Sequence, residues 1–98
     1  MPLHLGRGIT VREADVVAMT DLQRPLPEDT AALLSLLRAA GRAQALGPEP
    51  KTMVLCAMKD GKIACYLSCV GVRTLRLRAG DALAGIGADH RKNEVHYG

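Results

Sequence analysis

The sequence predicts a small α+β domain, an antiparallel sheet with one main helix and a short second helix. Three observations carry this. Short apolar runs interrupted by Gly and Pro fill the first 21 positions, a proline-led leucine stripe starts at residue 27, and a Lys59-Asp60-Gly61-Lys62 turn separates two further apolar runs. Short strands, a hairpin and one clear helix read together as α+β.

Leu3 and Leu5, then Ile9 and Val11, alternate with polar or small residues on either side of Gly6-Arg7-Gly8. Period-two alternation flanking glycines that tolerate positive φ predicts two strands and a tight turn. Asp15 to Thr20 forms a third apolar run, and Asp21 through Pro27, with two prolines, leaves it through an irregular connection. Pro27-Glu28-Asp29 then offers a fixed φ and two carboxylates to a helix start, where the dipole favours negative charge. Leu33, Leu34, Leu37 and Ala40 recur at helical spacing, and Gly41 is a natural C-cap with Arg38 and Arg42 beside it. Arg42 to Leu46 is expected as an edge strand, ended by Gly47-Pro48-Glu49-Pro50.

Asp-Gly favours a two-residue type I′ hairpin. With Asp60 and Gly61 as that loop, Met58 is expected opposite Ile63, Ala57 opposite Ala64 and Cys56 opposite Cys65. One face would then carry Val54, Cys56, Met58, Ile63, Cys65 and Leu67, and would be the core face. Over Val70 to Ala79 two patterns compete, Val72, Leu75 and Ala79 at helical spacing against the strand-like alternation of Thr74 to Ala79. Domain 1–80 is therefore followed by 81–98, Gly-rich and then polar, which is expected as a flexible tail.

The core must be built from small and medium side chains. The 98 residues include no Phe or Trp, and Tyr66 and Tyr97 are the only aromatics. A domain of this size buries about two-thirds of its unfolded surface, so a core poor in large rings makes self-association an expectation. The net charge of +3 is uneven: residues 1–58 balance six basic against six acidic side chains, whereas 59–98 hold seven against four. A basic C-terminal portion fits an anionic partner, although phosphate contacts would have to be multiplied by assembly to bind duplex.

The N-terminal residues lack the basic and apolar regions of a secretory signal, and no apolar run approaches membrane-spanning length. An odd number of cysteines, Cys56, Cys65 and Cys69, in apolar surroundings reads as reduced thiols in the cytoplasm. With His90 they number four conceivable zinc ligands, but no Cys-x-x-Cys knuckle organises them, and neither a metal nor another cofactor is expected. The expected register would also allow a Cys56–Cys65 disulfide, against the plainer reading of two small apolar side chains in a core. There is no phosphate loop, metalloprotease helix or nucleophile elbow, so an enzyme and a small-molecule substrate are not expected. Stacking on single strands needs several aromatics, which leaves duplex as the nucleic acid to consider.

His4-Leu5-Gly6, Asp15-Val16-Val17 with Asp21, Pro50-Lys51 before an apolar strand, Leu67-Ser68, and Thr74-Leu75-Arg76-Leu77-Arg78-Ala79 occur in an order and at spacings that matter together. Over about residues 1–80 the chain resembles the bacterial extracellular-matrix regulatory protein family (RemA/RemB-like), and within it the RemB branch most. The resemblance implies a small α+β domain, a ring-like homo-oligomer, and transcriptional control of biofilm-matrix genes through duplex DNA. It also implies helix for Val70 to Ala79. The DNA-binding branch carries arginines where this chain has Pro48 and Glu49, and another where it has Asp15; Lys51 is the matching basic position. Arg73, Arg76 and Arg78, with Lys51, Arg38 and Arg42 elsewhere, suit a phosphate-binding surface, against the commoner reading of a solvated basic face, and the nucleic-acid-binding candidates are Lys51, Arg73, Arg76 and Arg78. The alternative is an oligomeric protein-interaction module without DNA affinity.

Overall fold

In the computed structural model the described backbone covers residues 2–87, with side chains described for residues 2–80. The fold is α+β. Strands β1 (Pro2–Gly6) and β2 (Ile9–Arg12) form an antiparallel hairpin, and a single 3-10 turn, Glu13–Asp15, leads into β3 (Val16–Asp21). Helix α1 (Glu28–Ala39) follows, then β4 (Ala43–Ala45), β5 (Thr52–Ala57), β6 (Ile63–Ser68) and α2 (Val72–Gly87). The region where two patterns competed is helical. Leu75 is fully buried while Leu77 is 64% exposed, which a helix permits and a one-sided strand does not. Of the expected flexible tail, 81–87 belong to α2 as its backbone runs, and 88–98, with His90 and Tyr97, lie outside the described residues.

Two sheets are present instead of one, and the larger is mixed. The β1–β2 hairpin stands alone, and the four-stranded sheet has the order β3-β5-β6-β4, in which β4 runs parallel to β6. The expectation of a purely antiparallel sheet is corrected here, because α1 supplies the crossover that returns the chain to run alongside β6. Arg42–Leu46 does lie at an edge: β4 occupies one side of the sheet and β3 the other.

Helix α1 ends as its sequence foretold. Gly41 has φ +73, its amide donates to the Arg38 carbonyl, and the Arg42 amide donates to the Leu37 carbonyl, the double closure of a Schellman cap. The stripe is narrower than expected, since Leu34 and Leu37 are buried but Leu33 is 37% exposed and Ala40 also faces solvent.

The β5–β6 register is corrected by one residue. Ala57 pairs with Ile63, Cys56 with Ala64 and Leu55 with Cys65. The Gly61 amide donates to the Met58 carbonyl, Gly61 has φ +82, and the Met58 amide donates to the Lys62 carbonyl. This is a three-residue loop, Lys59-Asp60-Gly61, in which a type I turn is followed by a left-handed glycine. Because side chains alternate, the shift moves every β6 residue to the other face relative to expectation.

The sheet is consequently covered on both sides. Val54 and Cys56 join Leu3, Leu5, Leu46, Leu75 and Ala79 in a core beneath the hairpin and α2, whereas Met53, Leu55, Cys65 and Leu67 join Leu34 and Leu37 beneath α1. The expected single core face, which grouped Val54 and Cys56 with Cys65 and Leu67, is split between these two. Burial of aliphatic area at about 25 cal/mol per Å² drives both layers. Among the described residues no backbone ladder joins the hairpin to the larger sheet. Side chains attach it instead: the Ser68 hydroxyl donates to the Leu5 carbonyl (2.6 Å), Arg7 Nε to the Leu46 carbonyl (3.1 Å) and Arg78 to the His4 carbonyl (2.8 Å).

Candidate nucleic-acid interface

Helix α2 carries three of the four candidate residues. Val72, Leu75 and Ala79 turn inward, which leaves the charged positions outside. At about 100° per residue, Arg73 and Arg76 lie about 60° apart on one flank, and Arg78 lies about 140° to 160° away on the other. All three are exposed. Arg73 and Arg76 have no carboxylate within ion-pair distance among the described residues, whereas Arg12, Arg24 and Arg42 pair with Asp15 (3.2 Å), Asp21 (3.9 Å) and Asp60 (3.8 Å). Arg78 reaches the other way, to the hairpin, and spends a guanidinium nitrogen on the His4 carbonyl.

Lys51 is exposed immediately before β5. Its amide donates to the Ser68 carbonyl and its own carbonyl accepts from the Leu22 amide, so the backbone beneath the ammonium group is fixed. The next residue, Thr52, donates its hydroxyl to the Val70 carbonyl, two residues before α2. This places Lys51 at the end of the domain where α2 begins, the end that Arg73 also occupies. Lys51 and Arg73 thus lie towards the start of α2, Arg76 follows one turn along it, and Arg78 projects from the opposite flank. Sequence reasoning grouped all four. The bond that separates Arg78 joins residues 74 apart in the chain, and no local pattern reports it.

Asp15 holds Arg12, and Pro48 and Glu49 are exposed in the turn after β4. Gly47, just before them, packs so tightly that an added Cβ would collide with the Cys69 sulfur.

The thiols do not form a site together. Cys56 and Cys65 are both 1% exposed but belong to the cores on opposite faces of the sheet, so the disulfide that the expected register allowed is sterically denied. Burial raises the Cys56 thiol from 9.0 to about 11, with Asp15 and Cys65 adding to the shift, and burial also raises Cys65, opposed in part by Arg38. Both are poor nucleophiles at neutral pH. Among the described residues no group of three or more His, Cys, Asp or Glu side chains is placed to hold a metal ion, and no helix is long and apolar enough to cross a membrane.

No protein-family model matches the chain, and no curated protein matches it either.

Proposed function

We propose that the chain acts in the cytoplasm as a homo-oligomeric, non-enzymatic transcriptional regulator that binds duplex DNA, in the manner its resemblance to the extracellular-matrix regulators implies, with biofilm-matrix genes as the targets. The observation that carries this reading is the flank of α2, where Arg73 and Arg76 stand one turn apart, exposed and free of carboxylates among the described residues, with Lys51 at the same end of the domain. Exposed guanidinium groups one helical turn apart suit bidentate contacts to phosphate oxygens.

Self-association is the necessary companion of that site. One copy offers too few phosphate contacts for useful affinity at physiological salt, and repetition of the same flank around a closed assembly supplies the rest by multivalency. Supporting features are the two sheet edges, β3 and β4, and the solvent-facing Val17 and Leu36, 57% and 68% exposed. A second reading, an oligomeric interaction module without DNA affinity, is favoured by Asp15, Pro48 and Glu49 at positions where the DNA-binding branch is basic.

Mass measurement by light scattering at micromolar concentration, followed by fluorescence-anisotropy titration of a mixed-sequence duplex at low salt, tests the proposal. An oligomeric mass with salt-dependent binding is expected. An oligomer that leaves the duplex free would replace the proposal with the interaction module, and a monomer would end both.

A further inference from the structure

We infer that Arg78 is a positioning residue for the α2 flank rather than a contact to nucleic acid; this rests on the duplex-binding reading above. Among its described residues, helix α2 buries Leu75 and Ala79 in the core that also holds Leu3 and Leu5 of β1. Small aliphatic contacts of this kind hold a helix at a distance but leave its rotation and tilt weakly determined, because they are non-directional. Beyond the bonds that hold Val70 just before the helix, a directional restraint within its described residues is at Arg78. One step before the buried Ala79, its Nη1 donates to the carbonyl of His4, which lies between the two buried leucines of β1, at 2.8 Å.

Two further bonds make the receiving strand a firm anchor. Ser68 holds the adjacent Leu5 carbonyl, and the Thr10 hydroxyl lies 3.0 Å from His4 Nδ1 across the hairpin. Arg78 therefore clamps α2 to a strand that is itself tied to β6. With Arg78 bonded to β1, Arg73 and Arg76 are turned about 140° to 160° from that contact and face outward together. Presentation of two guanidinium groups at fixed orientation reduces the ordering cost of engaging phosphates.

The test compares duplex affinity and its salt dependence for the parent, Arg78→Met, Arg78→Lys and Arg76→Glu in the full chain, with circular dichroism and light scattering on each sample. Arg78→Met is expected to weaken binding about three- to tenfold while leaving the slope of log affinity against log salt at the parental value, because no phosphate contact is removed. Arg78→Lys, which retains a cationic donor for the carbonyl, is expected to recover most of that loss. Arg76→Glu lowers the slope. If Arg78→Met lowers the slope as Arg76→Glu does, or leaves affinity unchanged, the positioning role is overturned while duplex binding stands. Should Arg78→Met fail to fold, Arg78→Gln, uncharged and shorter in reach, replaces it under the same criteria. A parent that binds no duplex overturns the functional reading itself, and this inference with it.

Discussion

Thr52 and Ser68 face each other across β5 and β6, both fully buried, and each hydroxyl fastens a different element to the sheet. Thr52 donates to the Val70 carbonyl just before α2, and Ser68 donates to the Leu5 carbonyl of β1 while accepting from the Val70 amide. A buried polar pair is tolerated when its partners are complete, and removal of one member strands the others without water. Ser68→Ala should therefore cost about 1–3 kcal/mol, because it orphans the Leu5 carbonyl and the Val70 amide together. Urea denaturation checks this: the midpoint falls with the slope unchanged.

The thiols give a second prediction. Cys56 and Cys65 should label slowly with a bulky thiol reagent in the folded state, and Cys69, half-buried, faster. Oxidising agents should produce no intramolecular Cys56–Cys65 bond. The pH dependence follows from the raised Cys56 value. The folded thiol keeps its proton up to about 11, whereas the unfolded one loses it near 9.0. Folding is therefore undisturbed by this group below pH 9 and is progressively weakened as pH rises from there towards 11. Cys56→Ser, equally small but ionised at neither pH, should flatten that decline in a thermal-melt series.

Gly47 supplies a third. A Cβ at this position would overlap the Cys69 sulfur, so Gly47→Ala must push that sulfur aside. The substitution should be destabilising, and less so in a Cys69→Ala background. Non-additivity of the two changes, by about 0.5 kcal/mol or more in a double-mutant cycle, is the signature of direct contact. Additive effects would place the strain elsewhere.

A fourth prediction concerns the β5–β6 loop. Gly61 holds φ +82, and the Asp60 carboxylate accepts from the Lys62 amide at 2.9 Å while standing 3.8 Å from Arg42. Gly61→Ala should cost about 1 kcal/mol, since an alanine there keeps its place only in a strained conformation. Replacement of Asp60 by Asn, which retains the acceptor, should cost less than replacement by Ala. Chemical denaturation of the three variants orders them.

Much of the fold was legible in the residues. The Gly6-Arg7-Gly8 turn, the proline-led start of α1, its Gly41 cap and the edge position of β4 each rest on local chemistry that a sequence displays. The β5–β6 register was not legible, for a physical reason. Thr52 through Cys56 are all buried because the sheet is covered on both faces, so the strand shows no alternation from which a register can be read. Lys59-Asp60-Gly61-Lys62 fits a two-residue or a three-residue loop, and only the second agrees with the packing. Lys51, Arg73 and Arg76 were recognisable as surface cations from their type and spacing. The diversion of Arg78 to His4 depends on how α2 lies on the hairpin, which is decided by tertiary packing alone.

The salt dependence of duplex binding by the parent and by Arg76→Glu tests the central claim most directly. Matched anisotropy titrations across a salt series give the slope of log affinity against log salt, which counts the phosphates neutralised. A steep slope is expected for the parent, and for Arg76→Glu an intact oligomer whose slope is shallower by about one for each subunit in contact with the duplex. An Arg76→Glu oligomer that binds with the parental affinity and slope would contradict the duplex-binding role of this flank.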